Sequence, residues 1–282
     1  MLSSTINNLI RDLKPRQKEI LAGRFGLSGG EKETLAGIGE RYNITRERVR
    51  QLEESALEYI RENLEKEKSA KDFLEKIMGH LDEFGGLRKD DLFISEMKSA
   101  LNDKKLHHWH LRFFSEISGG FFYKPADRDF HGFWYFDEKD INKADSFFSE
   151  LEKMVASKKA ELLENKSFND YLLRVAKNKK ISDTAGSNYL LISKKFSQNP
   201  YGDFGLSEWE EINPKTINSK AYLVLKKHGQ PLHFGELADK INEAGFDDRL
   251  AQKQTVHNEL IKDPRFVLVG RGTYALYEKK AK

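Results

Sequence analysis

Residues 45–51 read Thr-Arg-Glu-Arg-Val-Arg-Gln. On a helix opened by Thr45, the side chains of Arg46, Glu47, Arg50 and Gln51 take positions i, i+1, i+4 and i+5, one quadrant opposite Val49 and Leu52. These residue types read base edges in a major groove wide enough to admit a helix. Arginine donates twice to guanine, glutamate accepts from the cytosine amino group, and glutamine pairs with adenine. Arg41 and Arg48 fall where backbone phosphates would pass. The chemistry implied is recognition of double-stranded DNA. The same residues also fit a solvated helix face stitched by Glu47–Arg50 or Glu47–Gln51 pairs, and the motif alone leaves both readings open.

Other reactive side chains offer less. His107, His108 and His110 surround Trp109, but i, i+1 and i+3 do not converge on one helix face, and no acidic ligand stands nearby in the sequence. An aromatic helix with solvated histidines is expected there, without a metal. Glu96-Met97-Lys98 is half of a nuclease signature with no upstream aspartate to complete it. No G-x-x-x-x-G-K-[ST], G-x-S-x-G or H-E-x-x-H occurs, and Gly29-Gly30 and Gly119-Gly120 read as turns. Zero cysteines exclude disulfides, thiolate zinc fingers, iron–sulfur clusters and cysteine nucleophiles. A binding protein without a cofactor is expected, not an enzyme.

The elements that must position residues 45–51 are legible in the punctuation around them. Ile6, Ile10 and Leu13 have helical spacing, Pro15 suits a first helical turn, and Gly26 suits a stop. Ser28-Gly29-Gly30 reads as a flexible loop. Thr34 starts a short helix facing inward with Leu35, Ile38 and Tyr42; Asn43 takes the left-handed turn; Thr45 caps the next helix. That helix buries Val49, Leu52, Ala56, Leu57 and Ile60. Two short helices around a tight turn make a helix-turn-helix. Residues 61–69 read as a charged extension or linker.

Beyond it, Phe73, Leu74, Ile77 and Leu81 mark a helix, Gly85-Gly86 a break, and a second helix is expected from near Arg88, with a third over His107 to Ile117. Three segments echo one another: FFYKPADRDFHGFWYFDE, KKFSQNPYGDFGLSEWEE and RFVLVGRGTYALYEKK. Each follows helical sequence, turns through Gly or Pro and returns as an aromatic or aliphatic strand, which is the pattern of a winged helix. The fold expected is mainly α with small β-hairpin wings, an N-terminal helix-turn-helix followed by winged-helix-like units. The divisions are 1–66 (helix-turn-helix), 70–138 (winged-helix-like), 139–212 (long helix plus degenerate winged helix) and 216–279 (winged helix). Composition agrees with several small cores. Of 282 residues 33% are charged and 38% hydrophobic, yet 19 Phe, 10 Tyr and 3 Trp need burial. A net charge of +3 is too balanced to announce phosphate binding, so any such contact rests on local patches. No apolar run approaches a membrane span and the start lacks the pattern of a signal peptide, so a soluble, cytoplasmic chain is expected, with no membrane partner.

At this point LKPRQKEILAGRFGL and TLAGIGERYNITRERVRQLEESALEYIR resemble region four of primary bacterial sigma factors. The resemblance covers about residues 8–62, where RFGL, TL-x-x-IG and T-RERVRQ-x-E-x-x-AL stand in order. It implies base contacts from Arg46, Glu47, Arg50 and Gln51, with Thr45 and Arg48 nearer the DNA backbone, and a second partner in RNA polymerase. The promoter-melting and minus-ten-reading segments of a sigma factor are absent from this sequence, so initiation in the manner of a sigma factor is not expected.

The stretch from Ser219 to Glu278 resembles the HARE-HTH winged helix, known from the delta subunit of bacterial RNA polymerase and from chromatin and restriction-associated proteins. That resemblance implies DNA or protein contacts. For DNA, Lys253, Gln254, Thr255, His257 and Asn258 would face the duplex, with Arg271 at the wing tip reaching a phosphate or the minor groove. Arg271 also fits a plain solvated loop tip. Together the two resemblances imply a DNA-binding transcription regulator. The alternatives are a polymerase-associated adaptor, or an accessory subunit of DNA modification or restriction.

Overall fold

Pro15, Thr34 and Thr45 each open a helix. After α1 (Leu2–Ile10), α2 (Pro15–Phe25) begins with proline at its first position, where no amide partner is lost, and ends at Gly26 with a left-handed φ of 56°. The Thr34 hydroxyl accepts from the Gly37 amide at 3.0 Å and starts α3 (Leu35–Tyr42), which Asn43 leaves at φ 52°. Thr45 repeats the cap, accepting from the Arg48 amide at 3.1 Å, and starts α4 (Arg46–Asn63). Ile20, Ile38 and Val49 form a small core between α2, α3 and α4. The computed structural model describes residues 2–27, 32–165 and 167–277; the loop read at Ser28-Gly29-Gly30 lies outside them.

The charged stretch after α4 is not a free linker. It forms a 3-10 turn, Leu64–Lys66, and leads into α5 (Lys68–Glu83). Leu64 is buried in a core that runs from Leu2 and Leu9 through Leu57 and Ile60 to Phe73, Phe114 and Trp134. The boundary read between 66 and 70 therefore crosses one continuous apolar cluster. The chain divides instead into one unit of residues 1–148 and 176–193 and another of residues 149–175 and 194–282.

In the first unit α5 is followed by β1 (Leu87–Lys89), α6 (Asp90–Ala100), α7 (His108–Ser118), β2 (Phe122–Lys124) and β3 (Phe133–Tyr135). The three antiparallel strands lie in the order β1-β3-β2, which with the three helices makes a winged helix. A helix was expected from near Arg88. Gly85 and Gly86, at φ 77° and 83°, turn the chain so that Arg88 pairs with Trp134 across a ladder, and the helix starts at Asp90. The expectation of solvated histidines is also corrected. Asp90 Oδ1 accepts from Trp134 Nε1 at 2.7 Å and lies 2.9 Å from His108 Nδ1, and His110 is buried with its Nδ1 accepting from the His107 amide at 3.0 Å. Glu96 is taken up by Arg88 and by His80 at 2.8 Å. Burial alone would raise the Glu96 pKa, but those two neighbours hold it below the ordinary carboxylate value. Among the described residues, no three His, Asp or Glu gather to hold a metal ion.

Four helices follow: α8 (Glu138–Ser157), α9 (Lys159–Asn165), α10 (Phe168–Asn178) and α11 (Asp183–Ile192). α11 belongs to the first unit and pins its strand turn. Asn188 donates to the carbonyls of Phe84 and Leu87 at 2.9 and 2.6 Å and accepts from Arg88 Nη1 at 2.6 Å, while the Tyr189 hydroxyl donates to the Gly85 carbonyl at 2.8 Å. In the second unit β4 (Phe196–Gln198) and β5 (Phe204–Leu206) form a hairpin beside Phe168, whose ring lies 4.6 Å from Phe204. Among the described residues this hairpin has no third strand, so residues 139–212 do not repeat the winged-helix sheet.

The second unit ends in α12 (Ile217–His228), β6 (Leu232–His233), α13 (Phe234–Ala244), α14 (Lys253–Lys262), β7 (Phe266–Gly270) and β8 (Thr273–Leu276). Its strands lie in the order β6-β8-β7, the same order as in the first unit. Val224, Leu237, Ile241, Val256, Leu260 and Tyr274 fill its core. Among the described residues no helix is long and apolar enough to cross a membrane.

Burial, and next to it the neighbouring His107, hold the His110 imidazole below its ordinary pKa of 6.5. The folded protein then binds a proton less readily than the unfolded chain, so this contribution is complete at neutral pH and is lost as pH falls through about 6.5. The urea midpoint is expected to drop between roughly pH 7 and pH 5, and to drop less in His110→Gln. Equal pH dependence in the two proteins would refute the assignment.

Candidate nucleic-acid interface

The first two turns of α4 separate cleanly into an inner and an outer side. Val49 is fully buried and Leu52 half-buried, whereas Arg46, Glu47, Arg48, Arg50 and Gln51 are exposed. The quadrant expected from spacing therefore faces solvent. Thr45 is also exposed, but its hydroxyl is committed to the helix cap. That places it at the helix start beside the outer face.

Within the face, charges are paired along the helix. Arg50 Nη2 lies 2.8 Å from Glu47 Oε1 and Arg50 Nη1 2.8 Å from Glu54 Oε2; Arg48 Nη1 donates to Gln51 Oε1 at 3.2 Å. The Arg50 guanidinium holds the Glu47 carboxyl below its ordinary value, and Glu47 in turn raises Arg50. These are the pairs that a solvated surface helix would carry. Their side chains remain 51–63% exposed, so solvent screens them and the pairs stabilise little. An arginine so held can exchange its carboxylate for a guanine edge or a phosphate at small cost.

α3 contributes Arg41, whose Nη2 lies 3.0 Å from Glu33 Oε1 and whose Cζ sits 4.7 Å from the Tyr42 ring centroid. The fold brings a second cation to that ring, Arg16 of the first turn of α2, at 4.0 Å. Burial and a hydrogen bond to Glu19 push the Tyr42 phenol above its ordinary pKa. Tyr42 is thus a fixed aromatic platform carrying two guanidinium groups. Sequence reasoning named Arg41 and missed Arg16; its place in the first turn after Pro15 was readable, but its neighbour across the fold was not.

The second set lies on the C-terminal winged helix. Lys253, Gln254, Thr255 and Asn258 are exposed on α14, and Arg271 is exposed at the turn between β7 and β8. Lys253 Nζ is 3.0 Å from Asp239 Oδ2, and Gln254 Nε2 donates to Asn258 Oδ1 at 3.1 Å. His257 departs from the expected face. It is half-buried, with its ring 4.5 Å from Phe234 and 6.0 Å from Tyr274. Gly272 anchors the wing at φ 68°, its carbonyl accepting from the Phe234 amide at 2.9 Å; a Cβ there would lie 2.7 Å from His233 Nε2.

Comparison with known proteins matches these two regions. The family model for sigma-70, region 4 covers residues 9–62, and the HARE-HTH model, an ASXL and restriction endonuclease HTH domain, covers residues 215–278. The RNA polymerase sigma-B factor of Nostoc sp. is 51% identical over 61 residues, 22% of this chain and 18% of the relative. RNA polymerase sigma factor SigA2 of Synechococcus elongatus is 45% identical over 60 residues, 21% of this chain and 19% of its own. The chloroplastic sigma factor sigF of Arabidopsis thaliana is 39% identical over 64 residues, 23% and 12% of the two chains. The chain thus spans less than a fifth of the length of these curated relatives. Both matched families are helix-turn-helix families, and the DNA-binding helix-turn-helix character of the protein rests on them.

What aims α4 is the turn before it. Gly39 lies where a Cβ would stand 2.7 Å from the Ile44 carbonyl oxygen, so backbone, not a flexible side chain, fills the space. Gly39→Ala is expected to destabilise the protein by about 1–3 kcal/mol through overpacking. Chemical denaturation measures this, and an unchanged midpoint would remove the close approach from the account.

Proposed function

We propose that this protein is a transcription regulator that reads duplex DNA with α4. The observation that carries the reading is a helix with one side buried at Val49 and the other open through Arg46, Glu47, Arg50 and Gln51. The match of residues 9–62 to sigma-70, region 4 supports it, as do relatives named as RNA polymerase sigma factors. Arg48, Arg41 and Arg16 flank the face as phosphate contacts, which set register without reading sequence. Lys253, Gln254, Thr255, Asn258 and Arg271 supply a second contact through the C-terminal winged helix. A second reading, docking on RNA polymerase, is favoured by one observation. Leu250, Ile261, Leu268, Val269 and Tyr277 are strongly exposed apolar side chains on that winged helix, a pattern suited to a protein partner.

Selection from random duplexes with the whole chain supplies the test sequence. Arg46→Ala is expected to cost about 1–3 kcal/mol on the selected duplex and little on random duplex. Equal losses on both would make Arg46 a backbone contact. Glu47→Lys should change the preferred base, and an unchanged preference would remove Glu47 from the reading face. Affinity should fall with salt at a log–log slope of about 0.9 per phosphate neutralised. A flat salt response would transfer the function to the docking reading.

A further inference from the structure

The two three-stranded winged helices share one strand order but treat their third helix differently. Counted from the first residue of each helix, Val256 and Leu260 of α14 stand fourth and eighth, as do Leu111 and Ser115 of α7, and all four are buried. Thr255 and Asn258 stand third and sixth in α14 and are exposed. The corresponding residues of α7 are His110 and Phe113, and both are buried. A helix with one buried stripe packs on one partner; α7, buried on two sides, packs on two.

The partners can be named. Phe114 faces its own winged helix, its ring 4.3 Å from Phe73 of α5, and the Ser115 hydroxyl donates to the Phe121 carbonyl at 2.7 Å. Phe113 meets Phe25 of α2 edge-on at 5.5 Å, and His110 hydrogen-bonds the backbone of Leu27 just beyond α2. Arg61 of α4 donates through Nε to the Glu116 carbonyl at 3.1 Å, and Lys32 Nζ lies 4.7 Å from the Trp109 ring centroid. The positions that α14 leaves open in the C-terminal copy are the positions that α7 fits against the helix-turn-helix.

We propose that the winged helix of residues 68–136 is an internal seat for the helix-turn-helix and not a nucleic-acid module, and that His110 and Phe113 are positioning residues for α4. The inference rests on α4 as the DNA-reading element only for its functional consequence; the seat itself is a property of the free protein. A helix held at its far half by α7 presents Arg46 to Gln51 at a fixed angle, so the ordering cost is met before a duplex arrives. Weakening the seat lowers affinity and leaves base preference intact, because no base-reading side chain has changed.

The experiment uses the full chain, wild type and Phe113→Leu. Amide hydrogen exchange over residues 46–62 is measured without DNA, and affinity and base preference are measured on the selected duplex. Exchange is expected to rise and binding to weaken by about tenfold each, with the same preferred bases. Duplex should protect residues 46–51 of the wild type and leave 108–118 unchanged. Protection of 108–118 by duplex, or wild-type exchange and affinity in Phe113→Leu, would overturn the proposal. If Phe113→Leu fails to fold, Arg61→Ala alters an exposed contact to the same helix; it is expected to move exchange and affinity by about threefold, and no movement would count equally against the seat. Absence of any duplex binding by the wild type would defeat the DNA reading, while the exchange measurement still decides the seat.

Discussion

A reading helix must satisfy two surroundings at once, and α4 does so by length. Its first turns keep Arg46, Glu47, Arg50 and Gln51 in solvent and need only Val49 to anchor them on Ile20 and Ile38. Its later turns bury Ala56, Leu57 and Ile60 in the main core of the first unit. Burial of an aliphatic side chain stabilises by about 1.5–3 kcal/mol, more than any exposed pair on the reading face supplies. The outer side is therefore free to carry charges chosen for a partner, because the inner side and the far end hold the helix in place.

The same economy explains why one topology serves two purposes in this chain. A winged helix is a three-helix core closed by a small sheet, and nothing in that core dictates what lies on the outer side of its third helix. In α14 that side carries Thr255 and Asn258; in α7 it carries His110 and Phe113. The apolar substitutions convert a solvent-facing surface into an internal joint. Around that joint the polar groups are satisfied one by one, Asp90 by Trp134 and His108, Glu96 by Arg88 and His80. Buried polar groups are tolerated when each finds its partner.

Local chemistry made much of this legible. Thr34, Thr45, Asn43 and Gly26 act within a few residues of themselves, and each has its role in the structure as its type suggests. The reading face followed from spacing alone. What escaped was long-range or very short. β1 has three residues, too few for a period, and β6 has two. His108 finds Asp90 on another helix, and Arg16 finds Arg41 only through the Tyr42 ring between them. His257 sits on an outer position by count but stacks on Phe234, since an imidazole beside an aromatic ring has apolar surface to hide. The core shared across residue 66 could not be seen because charged residues 65–68 interrupt the pattern while Leu64 alone carries it inward.

Asn188 gives the first unit a temporal order. Its amide closes on Phe84 and Leu87, and Tyr189 closes on Gly85, each across about a hundred residues of chain. Contacts of such separation form slowly, because a large loop must be ordered before they reward it. As the polypeptide leaves the ribosome, α4 emerges well ahead of α11 and waits, with the strand turn of its supporting winged helix unlocked, until α11 has been made.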